Sequence, residues 1–385
     1  MCKSSKNQNS GRPAVIDLFC GVGGLTLGAA RAGFEVLAAV DNDLRTEKTF
    51  RANFPNYRYI SADIGELRGC DLRDRAGMNG KIVDGVIGGP PCQGFSRIGR
   101  RGPDDARNSL FDHFFRVVAE LHPRFYLLEN VVGVVDSQFR DIRQSAFARL
   151  EGYHNLKPLC LKASDFGVAT SRQRIFFVGY RPADVDAIKE ADFEPPTNVE
   201  QVVVEKALRG LVRKISPDWQ SEEQGWRKLT CRPVGPFWNK VFGGVPCGVG
   251  DSWAIRQLAV SNRVSGCVGT RHTAAVTKRF SKLAEGAVDG PSRAVRLHRK
   301  GFCPTLRAGT GPERGSFQAL RPIHPTEPRV ITPREAARLQ GFPDWFVFDH
   351  TKWHSFRQIG NSVSPILAEA VLRIMAERLR EQGAD

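Results

Sequence analysis

The chain has 385 residues, 41% of them hydrophobic and 25% charged, with a formal net charge of +15 and an isoelectric point near 9.7. That composition is globular and long enough for one large domain or two ordinary ones; no run reaches the ~18 consecutive apolar residues that a membrane span needs. Met1–Pro13 is polar and basic, which excludes a secretory signal and reads as a disordered tail.

In chain order, Ala14–Phe19 reads as a first strand, Cys20–Gly24 as a glycine turn and Leu25–Ala32 as a helix. Phe34–Val40 is a second strand that ends at Asp41-Asn42-Asp43, Leu44–Asn53 a second helix, and Tyr57–Ala62 a third strand that ends at Asp63. Ile82–Ile87 is a fourth, buried strand running into Gly88-Gly89-Pro90-Pro91-Cys92-Gln93-Gly94-Phe95-Ser96. Ser109–Leu121 has apolar residues at 110, 111, 114, 115, 117, 118 and 121, a helical stripe. Phe125–Leu128 is a fifth strand closed by Glu129-Asn130, and Arg174–Tyr180 is another. Strands alternating with helices predict an α/β fold, a doubly wound and mostly parallel sheet.

After Tyr180 the rhythm fails. It returns at Thr332, a good N-cap with Pro333 at the first helical position and Glu335 three residues on, and a last helix follows from Ser364 to about Arg380. The expected organisation is a catalytic domain built from 14–180 and 326–385, with a smaller domain inserted at 181–325. Within the insert, residues 181–260 carry 11 Lys+Arg against 11 Asp+Glu, whereas 261–325 carry 12 against 3. A block of that charge predicts a phosphate-facing surface.

Nine cysteines without a CxxC spacing indicate neither a disulfide framework nor a zinc site, and fit a reducing, cytoplasmic compartment. Cys231, Cys247, Cys267 and His272 are the only loose candidates for a metal, and their spacing is too irregular to predict one. Cys92 stands out. Two glycines and two prolines hold it on a rigid turn at the carboxyl end of a buried strand, where ligands bind in open α/β sheets, so its thiol faces forward as a nucleophile needs. The glycine turn at Gly21-Val22-Gly23-Gly24 departs from the dinucleotide spacing G-x-G-x-x-G. Asp41 is placed to take ribose hydroxyls and Asp63 an adenine amine. With Asp17, they suit the cationic, phosphate-free S-adenosylmethionine better than a nicotinamide dinucleotide.

These residues resemble the DNA cytosine-5 methyltransferase family of prokaryotic type. Asp17–Gly24 is similar to its first cofactor motif, Pro91-Cys92-Gln93 to its nucleophile motif, and Glu129-Asn130-Val131 to its acidic catalytic motif. Arg172-Gln173-Arg174 is similar to its paired-arginine motif, Arg334–Pro343 to its ninth motif and Gly360–Pro365 to its last. One departure is Ala169-Thr170, where the family usually has Pro-Gln.

The resemblance implies a Rossmann-like S-adenosylmethionine-dependent enzyme. It would methylate C5 of a flipped-out cytosine in duplex DNA and release S-adenosylhomocysteine without a metal. It implies Cys92 as nucleophile, with Glu129, Arg172 and Arg174 as its catalytic partners. Asp17, Phe19, Gly21, Gly23, Gly24, Asp41, Asn42, Asp63, Ile64, Pro91, Leu110, Asn361 and Val363 would surround the cofactor. Gln93 and, on a mobile loop over 96–108, Ser96, Arg97, Arg100 and Arg101 would touch DNA, and 181–325 would read the target sequence. A monomer is expected, with a cognate restriction endonuclease as a plausible genetic companion. An RNA-directed relative and a catalytically inactive DNA-binding relative are the alternatives.

Overall fold

The computed structural model describes residues 11–78, 80–91, 109–216, 225–307, 309 and 321–379. Its first part alternates strands and helices. The order is β1 (Ala14–Leu18), α1 (Gly24–Ala32), β2 (Glu35–Asp41), α2 (Leu44–Asn53), β3 (Tyr59–Ser61), α3 (Gly69–Arg75), β4 (Gly85–Gly88), α4 (Ser109–Leu121), β5 (Phe125–Asn130), α5 (Arg140–Phe147), β6 (His154–Asn155), β7 (Leu159–Lys162) and β8 (Gln173–Tyr180). The sheet runs β3-β2-β1-β4-β5-β8-β6, with β7 also alongside β8. Strands β1 to β5 are parallel, and β8 is antiparallel to β5, β6 and β7. The strand order reverses between β1 and β4, which leaves a crevice at their carboxyl ends.

Alternation builds the two layers. Ile16, Leu18, Val86, Tyr126 and Leu128 face α4 and its phenylalanines, while Val15, Ala39, Ile87 and Leu127 face the opposite layer with α1. The predicted stripe of α4 is its buried face: Phe111, Phe114, Phe115, Val117, Val118 and Leu121. Among the boundaries that differ from expectation, three have a clear cause. β4 starts at Gly85 because Asp84 is occupied by side-chain bonds, its carboxylate accepting from Ala14 N at 2.6 Å and from Arg124 at 2.9 Å. Arg12 and Pro13 belong to the fold rather than to a tail: Arg12 donates to the Gly33 and Phe34 carbonyls, and Pro13 O accepts from Glu35 N. Glu129 and Asn130 lie within β5, paired with Phe176 and Ile175 of β8.

Beyond Tyr180 come α6 (Val204–Leu208), β9 (Arg227–Lys228), α7 (Pro236–Phe242), α8 (Ser252–Val260), β10 (Arg263–Val264) and α9 (Ala274–Lys282). Much of this segment shares the larger core: Val204, Ala207, Phe237, Trp238, Val241 and Val264 join the apolar cluster that holds α1. A separate small cluster gathers Phe280, Ala294 and Ile323.

The chain closes with α10 (Pro333–Leu339), α11 (Lys352–Asn361) and α12 (Pro365–Arg378). The capping box of α10 forms as predicted, with Thr332 and Glu335 exchanging hydrogen bonds. Helix α12 lies against α1 so closely that a Cβ on Gly28 would stand 2.4 Å from that of Ala368. Residues 352–378 are long and apolar enough for a membrane span, but the stretch is divided between α11 and α12 and 61% of its most apolar window is buried inside the protein.

Candidate active site

The glycine turn after β1 is bent from its first residue. Phe19 takes φ 59°, a conformation that L side chains other than Asn and Asp rarely adopt. Gly21 follows at φ 53°; its backbone N–H donates to Asp41 Oδ2 at 2.8 Å, and nothing lies within 4 Å of where a Cβ would stand. Gly24 is glycine for the opposite reason. A Cβ there would fall 2.4 Å from the Val363 carbonyl oxygen, because the connection between α11 and α12 packs on the turn. Gly23 faces the Phe54 ring in the same way. The turn is therefore open at Gly21 and closed by packing at Gly23 and Gly24.

The three acidic strand ends separate on inspection. Asp17 is fully buried, and Thr26 of α1 donates to its Oδ2 at 2.5 Å. Burial pushes its carboxyl up to about 7, against the Thr26 bond, with the nearby Asp41 charge adding to the rise. Asp17 thus braces β1 against α1. Thr26, its partner, carried no signal in the sequence. Asp41 accepts from Gly21 N and from Asp43 N at 3.0 Å, and burial raises its carboxyl. Asp63 is exposed and accepts from Gly65 N at 2.8 Å. Asn42 and Asn361 are exposed, Leu110 is half-buried, and Pro91 is exposed at the end of the β4 turn. Ile64 is buried in the apolar layer beneath β3, and Val363 touches the glycine turn through its carbonyl.

At β5 the antiparallel register decides the chemistry. Glu129 is opposite Phe176, so Arg174, two residues along β8, is its diagonal neighbour on the same face. Arg174 Nε lies 2.7 Å from Glu129 Oε1, an ion pair in which both side chains are about nine-tenths buried. Arg172 is elsewhere. Its Nη1 donates to Gly360 O at 2.8 Å and to Leu306 O at 3.4 Å, so it ties the start of β8 to the two segments above it. Of the two arginines, Arg174 faces Glu129, while Arg172 links the start of β8 to Gly360 and Leu306. The departure at Ala169-Thr170 also has a use, since Thr170 Oγ1 and the Ser171 N–H both donate to Cys303 O at 2.9 Å.

The turn that carries the nucleophile motif comes to the same place. Asn130 Nδ2 donates to Pro90 O at 3.4 Å, and a Cβ on Gly89 would stand 3.2 Å from Glu129 Oε2. Cys92, Gln93, Ser96, Arg97, Arg100 and Arg101 lie outside the described residues. Among the described residues no three His, Cys, Asp or Glu side chains converge as a metal site would require; Cys231 and Cys247 are exposed and Cys267 is buried apart from them. The crevice fits a nucleoside-bearing group on its own geometry. It offers an open backbone turn at Gly21, a strained aromatic residue at Phe19, and carboxylates at Asp41 and Asp63.

A parallel sheet with a glycine turn at its reversal point and one antiparallel strand beside β5 is the fold of S-adenosylmethionine-dependent methyltransferases. The chain belongs to the C-5 cytosine-specific DNA methylase family, whose model matches residues 14–377. It is 38% identical over 384 residues to the type II methyltransferase M.XorII of Xanthomonas oryzae pv. oryzae, covering 96% of this chain and 86% of that one. It is 33% identical to the type II methyltransferase M.DdeI of Desulfomicrobium norvegicum, over 95% and 88% of the two chains. Among solved structures it resembles a candidate DNA modification methyltransferase encoded within a prophage (E. coli), with TM-score 0.86, 46% identity and coverage of 95% and 99%. The S. pombe Dnmt2 methyltransferase shares the fold, with TM-score 0.62, 16% identity and coverage of 95% and 99%.

Proposed function

We propose that this protein methylates C5 of a cytosine flipped out of duplex DNA, through a covalent bond between Cys92 and C6 of the base. One observation carries the reading: the buried Glu129–Arg174 pair sits against the Gly89-Pro90-Pro91 turn that runs straight into Cys92. Inside a stacked duplex C6 is out of reach, so the base leaves the helix at a cost of a few kcal/mol.

The Cys92 thiolate adds to C6. Electron density then moves toward N3 and O2 and makes C5 nucleophilic. Glu129 hydrogen-bonds the N3 edge and the 4-amino group, and Arg174 donates to O2, so that the developing charge is met by preorganised groups. Arg172 holds β8 in place beneath them. S-adenosylmethionine, when bound, supplies an electrophilic methyl carbon on its sulfonium. Phe19, Gly21, Asp41, Asn42, Asp63, Asn361 and Val363 would hold it along the carboxyl ends of β1 to β3. Once C5 bears the methyl group it loses its proton, Cys92 leaves C6, and 5-methylcytosine remains.

We further assign 14–180 with 326–385 to catalysis and 181–325 to recognition of the target. Arg97, Arg100 and Arg101 would contact the DNA. One chain suffices, since a flipped base needs one pocket. Cytoplasmic DNA is the substrate, and a restriction endonuclease of the same specificity is the natural companion.

The test is methyl transfer from tritiated S-adenosylmethionine to mixed-sequence duplex DNA and to tRNA, with Cys92→Ser in parallel. The expected result is label in DNA as 5-methylcytosine, absent with the variant. Label in tRNA alone would move the assignment to RNA, and no label with the methyl donor still bound would make the protein a binding relative.

A further inference from the structure

The turn over residues 63–67 is the part of the crevice least fixed by the sheet. It leaves β3, a three-residue edge strand, and its internal bonds all return to Asp63, from Glu66 N at 3.2 Å and Leu67 N at 3.0 Å to the carbonyl and from Gly65 N at 2.8 Å to the carboxylate. What holds it is one face of α4. Arg116 Nη2 donates to Ile64 O at 2.7 Å and to Leu67 O at 3.0 Å. Its Nη1 donates to Glu120 Oε1 at 2.8 Å, and Glu120 Oε2 in turn accepts from Gly69 N at 2.5 Å. The remaining guanidinium nitrogen, Nε, donates to His113 Nδ1 at 3.3 Å. All three nitrogens of Arg116 are therefore used.

The bond to Nδ1 also fixes the imidazole. Nδ1 accepts, so the neutral ring carries its proton on Nε2. That nitrogen points at the turn: it would lie 3.5 Å from a Cβ on Gly65, which itself would stand 3.2 Å from Asp63 Oδ1.

We propose that Arg116, oriented by His113 and Glu120, is the positioning residue that sets the turn carrying Asp63 and Ile64, and with it the adenine end of the methyl-donor site. This rests on the reading of the crevice given above. Arg116 does not touch the donor. It fixes the Ile64 and Leu67 carbonyls, and so the backbone of the turn directly after Asp63. A guanidinium suits the task because its planar fork reaches two carbonyls and two side chains at once, which an ammonium cannot do.

The experiment is titration of the full chain with S-adenosylhomocysteine by calorimetry, alongside steady-state kinetics on duplex DNA. Arg116→Met is expected to weaken binding by about tenfold or more, and His113→Phe by roughly threefold to tenfold, the range of one ordinary hydrogen bond. His113→Asn, whose Oδ1 takes the place of the imidazole Nδ1, should bind within about twofold of the parent, since the acceptor is kept. The loss should appear in the KM for the methyl donor, with kcat at saturation and the KM for DNA held. Should Arg116→Met not fold, the contrast between His113→Phe and His113→Asn decides. Unchanged affinity in His113→Phe, or a drop in kcat and melting temperature at constant affinity, would overturn the proposal. A parent protein that binds no S-adenosylhomocysteine would instead overturn the methyltransferase reading itself.

Discussion

The parallel half of the sheet is held mainly by apolar contact, whereas the segment that follows Tyr180 adds buried ion pairs to its share of the same apolar core. Between Ala14 and Asn130, apolar side chains alternate to the two faces and helices cover them, so position along a strand decides which layer a residue joins. Around α10 the interior is ionic. Arg334, Glu335 and Arg338 are all buried within seven residues of helix. Arg338 forks onto Asp344 at 2.8 and 2.6 Å and donates to the Ala207 and Arg209 carbonyls. Arg329 forks onto Glu335 and reaches Arg213 O, while Arg334 donates to Ser265 O and Phe346 O. A regular sheet satisfies its own backbone, whereas an irregular segment leaves carbonyls to be satisfied by long charged side chains. The lesson is that α10 organises the inserted segment by hydrogen bonding, whereas α1 and α12 organise the glycine turn by contact.

Three sets of changes would break or sharpen that contrast. The largest concerns Glu129 and Arg174, the pair proposed to act on the base. Glu129→Gln and Arg174→Met are each expected to lower kcat by about 10²–10⁴-fold, the usual range for a general acid–base or charge-stabilising group, with little change in melting temperature. Arg172→Met should do the reverse, lowering the melting temperature because two buried carbonyls lose their donor. Equal kinetic losses in the two arginine variants would show that they do share one task.

Next comes the ionic hub. Asp344→Asn leaves the Arg338 charge buried without its carboxylate, and should cost about 3–5 kcal/mol in chemical denaturation. A cost below about 1 kcal/mol, that of an exposed pair, would mean that apolar contacts hold α10 as they hold α1.

The smallest effect is a pH dependence in the parallel half. Asp17 titrates near 7 in the folded protein and near ~3.9 in an unfolded chain. Between those values the folded state holds a proton that the unfolded state has lost, so the contribution to stability is greatest at low pH, falls as pH rises through the window, and levels off above about 7. Replacement by Asn removes the titration. The stability of the parent relative to Asp17→Asn should therefore fall by roughly 2–3 kcal/mol from pH 5 to pH 8. A difference that is flat or rises with pH would place Asp17 in a wetter setting than the β1–α1 interface.

The same contrast explains what was legible in the sequence. The strands β1 to β5 and the helices α1, α2 and α4 could be placed because their apolar spacing is the physical cause of their layers. The capping box at Thr332 was legible because it is local. The antiparallel sense of β8 was not, since alternation carries no direction, and with it went the distinction between Arg172 and Arg174. Three aspartates at strand ends looked alike as letters. Burial separates them: Asp17 faces Thr26 inside a layer, while Asp63 is exposed. Helices α3, α5 and α11 were missed, because each is short, rich in charge or polar residues, and defined by what it packs against.

The central claim is that Cys92 attacks C6, and duplex DNA made with 5-fluorocytosine tests it most directly. After methyl transfer C5 would carry fluorine and methyl with no proton to lose, so the Cys92–C6 bond could not be released. With S-adenosylmethionine present, the parent protein should form a complex with this DNA that survives denaturant, and Cys92→Ser should form none. A parent protein that methylates ordinary DNA yet leaves no such complex, or a Cys92→Ser variant that forms it, would contradict the assignment of Cys92 as nucleophile.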